Sequence, residues 1–259
     1  MLRLLVSLIL PLSAQTEELL QLTVKTAKPC LEFTRKLQDA LHWRITYEDP
    51  PLLDKSQLLP VIDANGTSRN DLRVYSSTLR VSTKDHRLGI GKDRLMKDLL
   101  KDCNNNTSVA RFKFTRDGDF VHVMPTHVRI ASGEFIQYQP LLETPVTIRM
   151  GTYLLDNFVN EVLSQVRKSR GVVIAKGPLI MNLFLQQSVT QSATIEPARD
   201  VLVRAFREVE DRQRANGNII RLTWYLGYSH NLDSYFFNIS GAHPEEIGSE
   251  ESLVKNPVR

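Results

Sequence analysis

Apolar and polar positions in this chain switch between a period near 3.6 and a period of two, and the switching predicts a repeated order of strands and helices. Leu19 to Val24 reads as a strand, and Lys28 to Leu41 carries Cys30, Phe33, Leu37 and Leu41 at helical spacing. Trp43 to Tyr47 alternates as a strand and stops at Glu48-Asp49-Pro50-Pro51. A polar connection follows from Asp54 to Asn70, with Asn65-Gly66 as turn chemistry. Leu72 to Tyr75 and Thr78 to Val81 are short strand candidates, and Lys92 to Cys103 is an amphipathic helix. Val109 to Phe114 and Asp119 to Met124 form a hairpin about Arg116-Asp117-Gly118, where Asp-Gly supplies the positive φ of a tight turn. Val128 to Ile130 and Phe135 to Tyr138 add a second hairpin about Ser132-Gly133.

The same order returns in the C-terminal half. Val146 to Met150 is a strand, and Tyr153 to Lys168 is a helix with Leu154, Phe158, Val162 and Val166 on one face. Gly171 to Ala175 and Ser188 to Ile195 are strand candidates. Pro197 pre-sets φ for a helix from Ala198 to about Arg214. Leu222 to Tyr228 and Tyr235 to Ile239 then pair as a hairpin. Both halves read β-α-β-β-α-β-β, which predicts an α+β fold of two small βαβ-containing modules with helices packed on mixed sheets. The modules are placed at residues 15–142 and 143–242, followed by an acidic, mobile tail over 243–259. A smaller echo points to internal duplication: Lys28-Pro29 opens a helix leading to Trp43-x-x-x-Tyr47, and Pro197 opens one leading to Trp224-x-x-x-Tyr228. Coincidence of common core residues is the competing reading of that echo.

Met1-Leu2-Arg3, an apolar run from Leu4 to Leu12 and Ser13-Ala14 read as a secretory signal peptide over residues 1–14. The run is too short to span a bilayer, so no transmembrane span is expected after cleavage. The alternative is a buried N-terminal helix. Export would place Cys30 and Cys103 in an oxidising compartment, where the pair can join; burial of each as a small hydrophobe is the other reading.

The stretch from Leu22 to Pro51, with Lys28-Pro29, a helix ending at Leu41-His42 and then Trp43-Arg-Ile-Thr-Tyr-Glu-Asp-Pro50, resembles the secretin and TonB short N-terminal domain. It is also similar to uncharacterised exported proteins of acidobacterial type. Pro197-Ala198-Arg199-Asp200 with Leu222-Thr223-Trp224 agrees with the second group. The resemblance implies a periplasmic interaction or signalling module and transfers no catalytic residue.

Charge is the most uneven feature of the chain. Its formal net charge is +4, yet residues 67–116 hold twelve Lys/Arg against five Asp. Arg73, Arg80, Lys84, Arg87, Lys92 and Arg94 are the candidate contacts for an anionic envelope polymer or partner. Few aromatics accompany them, so nucleic acid is not the expected partner. Reactive motifs are sparse. Gly89-Ile-Gly91-Lys92-Asp93 lacks the earlier glycine and the hydroxyl residue of a phosphate loop. His122 and His127 are separated by Pro125, and their odd spacing puts them on opposite strand faces. No Gly-x-Ser-x-Gly elbow occurs. No cofactor, metal ligand or catalytic residue is assigned. The expectation is an exported, non-catalytic envelope protein of the bacterial periplasm or exterior, acting as an interaction module. Its Trp43/Tyr47 and Trp224/Tyr228 strands are the candidates for pairing with a partner strand. A hydrolase of unrecognised type, or an anion or small-ligand binder using residues 67–116, is the alternative.

Overall fold

The computed structural model describes residues 19–62, 65–66, 68–82, 92–106, 109–177 and 186–242. The expected signal peptide, Lys84, Arg87 and the segment from 243 onward lie outside the described residues. In chain order the first half runs β1 (Leu19–Thr26), α1 (Pro29–Leu41), β2 (Arg44–Glu48), β3 (Leu58–Ile62), β4 (Ser68–Leu72), β5 (Tyr75–Ser82), α2 (Lys92–Asn106), β6 (Ala110–Asp117), β7 (Phe120–Arg129) and β8 (Phe135–Gln137). After a 3-10 turn at Leu141–Glu143 come β9 (Pro145–Leu154), α3 (Leu155–Arg170), β10 (Ile174–Lys176), β11 (Ser188–Pro197), α4 (Ala198–Ala215), β12 (Arg221–Ser229) and β13 (Ser234–Ala242).

Local chemistry sets several of these boundaries. Pro29 opens α1, where its missing N–H costs nothing, and Gly171 ends α3 in the left-handed region at φ 62. Arg167, Lys168 and Arg170 in the last turn of α3 complement the helix dipole. Gly118 turns β6 into β7 at φ 58, and a Cβ there would also meet Arg207 Nη2 at 2.7 Å. The expected hairpins at Gly118 and Gly133 are present, as are the four helices and the β12–β13 hairpin.

The main sheet has the order β10-β13-β12-β2-β7-β6, with β8 added to the far end of β7. Strand pairing repeats between the halves. β2 runs parallel to β7 and β7 antiparallel to β6, just as β10 runs parallel to β13 and β13 antiparallel to β12. An antiparallel ribbon precedes each unit's second helix, β1 with β5 and β9 with β11. The two units meet through the parallel pair β12–β2. Because β6 is antiparallel to β2 but its counterpart β12 is parallel to it, the second unit is turned over relative to the first. Its helices therefore lie on the opposite face. One core joins α1 and α2 to Trp43, Ile45, Tyr47, Val121 and Val123; the other joins α3 and α4 to Phe120, Trp224, Leu226, Tyr235 and Phe237.

The halves on either side of residue 142 share one sheet, because β12 hydrogen-bonds to β2. Three expectations need correction. The connection Asp54–Asn70 contains β3, which pairs with β4 about Asn65-Gly66; Pro60 and the lack of alternation hid it. The strand after Pro145 continues to Leu154, where it pairs with Ser188. The Trp-x-x-x-Tyr echo is not the structural repeat, since the pairing matches α1 with α3 and α2 with α4, whereas the echo matches α1 with α4.

Candidate functional site

Alternation on β2 sends Trp43, Ile45 and Tyr47 to one face and Arg44, Thr46 and Glu48 to the other, and both faces are buried. The polar face meets groups from distant sequence. Arg44 donates to Glu210 at 2.5 Å, to Asp119 at 2.8 Å and to the Leu222 carbonyl at 2.9 Å, and lies 3.6 Å over the Phe120 ring. Thr46 Oγ1 is 2.7 Å from His122 Nδ1. Glu48 accepts from the backbone N–H groups of Leu141 and Leu142 and pairs with Arg199, which also binds Glu143. Burial pushes Glu48 up to about 7, against the lowering effect of Arg199 and the two N–H groups. Burial, with Arg199, Arg207 and Arg44 nearby, holds His122 down at about 3. Apart from His122 Nε2, which is buried without a hydrogen-bond partner, these groups are paired from within, and they tie the 3-10 turn and α4 to the sheet.

Asp49, next along, is the clasp between the units. It accepts from Lys28 Nζ at 2.5 Å and from Tyr228 N–H at 2.8 Å, and its own N–H bonds the Leu226 carbonyl. Lys28 also donates to the Tyr228 carbonyl at 2.6 Å. The hollow behind this clasp, lined by Cys30, Tyr47, Pro50 and Phe112, holds only about 30 Å³. That is room for no more than a water or two.

The open space lies beside it. The first unit's helices stop at β2, so among the described residues no helix lies over β12 and β13 on that face of the sheet. The half-buried Tyr225 and Ser240 form the floor of this opening, with Phe236 and Asn238 further along the same face, where Asn238 packs against Gly177. Helix α1 makes the wall. One cavity of about 360 Å³ lies at the carboxyl ends of β2 and β12, with Lys28, Glu32, Arg35, Asp71 and His230 around it. A second of about 240 Å³ continues along α1 past Gln38 and Asp39 to Ser240 and Gly241. Leu31 and Arg35 border both, so the two make one groove. Arg35 stands at its waist with its guanidinium 4.6 Å over the Tyr225 ring and a loose contact to Glu32 at 3.8 Å. At the outer end His230 Nε2 lies 3.2 Å from the Asn70 carbonyl and 3.8 Å from Asp71.

Cys30 and Cys103 are both buried and face each other between α1 and α2 at disulfide distance, with Cα atoms 5.3 Å apart. The basic candidates are spread out. Arg73 is exposed at the β4–β5 turn, Arg80 is on β5, and Lys92 and Arg94 begin α2. Other cations of that stretch are engaged locally, Arg116 with Asp93 and Arg111 with the Asn104 carbonyl. Trp43, Tyr47 and Trp224 are buried, Tyr228 is half-buried, and β2 and β12 are interior neighbours in the sheet. Neither strand offers a free edge, so strand addition there is corrected to a core role. The groove was missed because its wall and floor are nearly two hundred residues apart; the one local trace is Arg35, a charge on the helix face that flanks the apolar stripe.

No helix among the described residues is long and apolar enough to cross a membrane. Comparison with known proteins finds no matching family model, no similar curated protein and no similar solved structure.

Proposed function

We propose that the chain is an exported, non-catalytic binding module of the bacterial envelope that recognises its partner in the groove between α1 and the uncovered face of β12 and β13. The observation that carries this reading is the groove itself. It has the size of a recognition site, an aromatic and polar floor, and charged groups along one wall. Lys28, the cation nearest the sheet end, is fixed by Asp49 and a carbonyl, so it shapes the groove. The resemblance of residues 22–51 to envelope βαβ modules points the same way, and an oxidised Cys30–Cys103 bond suits an oxidising compartment. The alternative anion site over residues 67–116 has less support, because its cations are dispersed over three elements and partly engaged.

The test is site-specific photo-cross-linking in the native envelope. A cross-linker at Gln38 in the groove is expected to capture a defined partner, while one at the exposed Lys113 on β6 does not. Equal capture from both positions, or none from Gln38, refutes the assignment.

A further inference from the structure

The groove ends where the described chain ends. Ser240 and Gly241 line the 240 Å³ cavity together with Arg35, and Ala242 is the last residue of β13. The next residues in sequence are His243-Pro244-Glu245-Glu246, with Glu250 and Glu251 further on. Four residues reach about 13 Å when extended, enough to bring Glu245 or Glu246 across a cavity of that size to Arg35.

The chemistry of the wall fits one carboxylate. The Arg35 guanidinium lies 4.6 Å over the Tyr225 ring, a cation–π contact that holds it at the wall, and its fork of N–H donors suits a planar acceptor. Its pairing with Glu32 is loose. Asp39 on the same wall disfavours a run of negative charge, so the seat takes a single acidic side chain at Arg35. We propose that the groove is the docking site of the chain's own acidic segment 243–259, anchored by a Glu245 or Glu246 carboxylate on Arg35. The segment thereby competes with the external partner. This inference rests on the groove being the recognition surface.

The experiment uses the full chain, purified alone, with a photo-cross-linker at Gln38. The expected product is an intramolecular link to a peptide within 243–259. Joint charge reversal, Glu245→Lys with Glu246→Lys, is expected to lower its yield at least fivefold, and adding Arg35→Glu to restore it. Mixing isotopically labelled and unlabelled chains separates links within a chain from links between copies. Links between copies, links elsewhere in the chain, or a yield indifferent to the charge swap would each overturn the proposal. Failure here with partner capture in the envelope intact removes the tail and leaves the groove reading standing. An intact tail link without partner capture removes the groove's external role alone.

Discussion

Glu48→Gln tests the energetics of the buried polar column. Glu48 is 3% exposed and takes its charge into a space shared with Arg199, Glu143 and the hydroxyls of Tyr138 and Tyr235. Its affinity for a proton rises from the usual 4.5 to about 7 on folding. The folded state then binds more protons than the unfolded state between those values, so stability falls as pH rises through them. The shift corresponds to about 3 kcal/mol. His122 works the other way. Its folded value near 3 against 6.5 unfolded means that stability is lost as pH falls through that window, by up to about 5 kcal/mol. Between pH 4.5 and 6.5 the contributions of Glu48 and His122 therefore oppose each other.

Glutamine keeps the shape but cannot titrate, so it exposes the His122 slope. Urea unfolding at half-unit steps from pH 4 to pH 8 gives the free energy of unfolding for both chains. The quantity to read is their difference, because the constant cost of placing an amide beside Arg199 drops out of its pH dependence. That difference is expected to move in favour of Glu48→Gln by about 3 kcal/mol between pH 4.5 and pH 7. A flat difference would mean that burial and Arg199 balance at Glu48. A difference moving the opposite way would mean that Arg199 and the N–H groups of Leu141 and Leu142 dominate, and the reasoning would be wrong.

Further outcomes follow from the geometry. Glu210→Ala strands the Arg44 guanidinium and the Leu222 N–H in the core, and is expected to cost about 3–5 kcal/mol in chemical unfolding; a loss below 1 kcal/mol would show that Asp119 suffices for Arg44. Ile195 is a β-branched residue at φ 54 in the irregular stretch of β11, with its side chain 74% exposed. Ile195→Asn is expected to stabilise by about 1 kcal/mol, a rise of about 2–4 °C in Tm, since little burial is lost and asparagine tolerates that backbone; a lower Tm refutes the strain. The purified oxidised chain is expected to show no free thiol, and replacing Cys30 and Cys103 by alanine to cost roughly 4 kcal/mol, given the sequence separation of 73. Titration with a thiol reagent and unfolding of the double variant check both statements.

Elements governed by local rules were legible in the sequence. The stripes of α1 to α4, the turn at Gly118 and the alternation of β12 and β13 each follow from residues within one element. What needed distant partners was not. Arg44, Thr46 and Glu48 alternate with Trp43, Ile45 and Tyr47 as they would on a strand with one wet face. Their burial depends on Arg199 and Glu210, more than 150 residues away. The two tryptophans invited a repeat and a free edge, yet β2 and β12 are neighbours, with Thr46 rather than Trp43 at the level of Trp224 in the parallel register, and the tryptophans face opposite cores. The apolar edge of β3 was lost behind Pro60, which reads as a breaker although it sits where an edge strand tolerates it.

The place where the two units differ is also where the groove lies. Turning one unit over against the other leaves two half-faces of the sheet without their own helices. On the α3–α4 face the half-face over β2 and β7 is closed from both units: Leu141 and Leu142 of the 3-10 turn join the core with Phe120, and Arg199 and Arg207 of α4 cover the polar column. On the α1–α2 face no comparable closure covers the floor among the described residues, and Tyr225 and Phe236 remain half-buried. One of two equivalent openings is thus closed with a buried ion network, and the other is lined by an arginine over an aromatic ring. The closed side holds the units together through Glu48, Arg199 and Arg44. On the proposed reading the open side is the recognition surface, so substitutions at Arg35 are expected to change recognition while leaving the unfolding free energy within about 0.5 kcal/mol of the native chain.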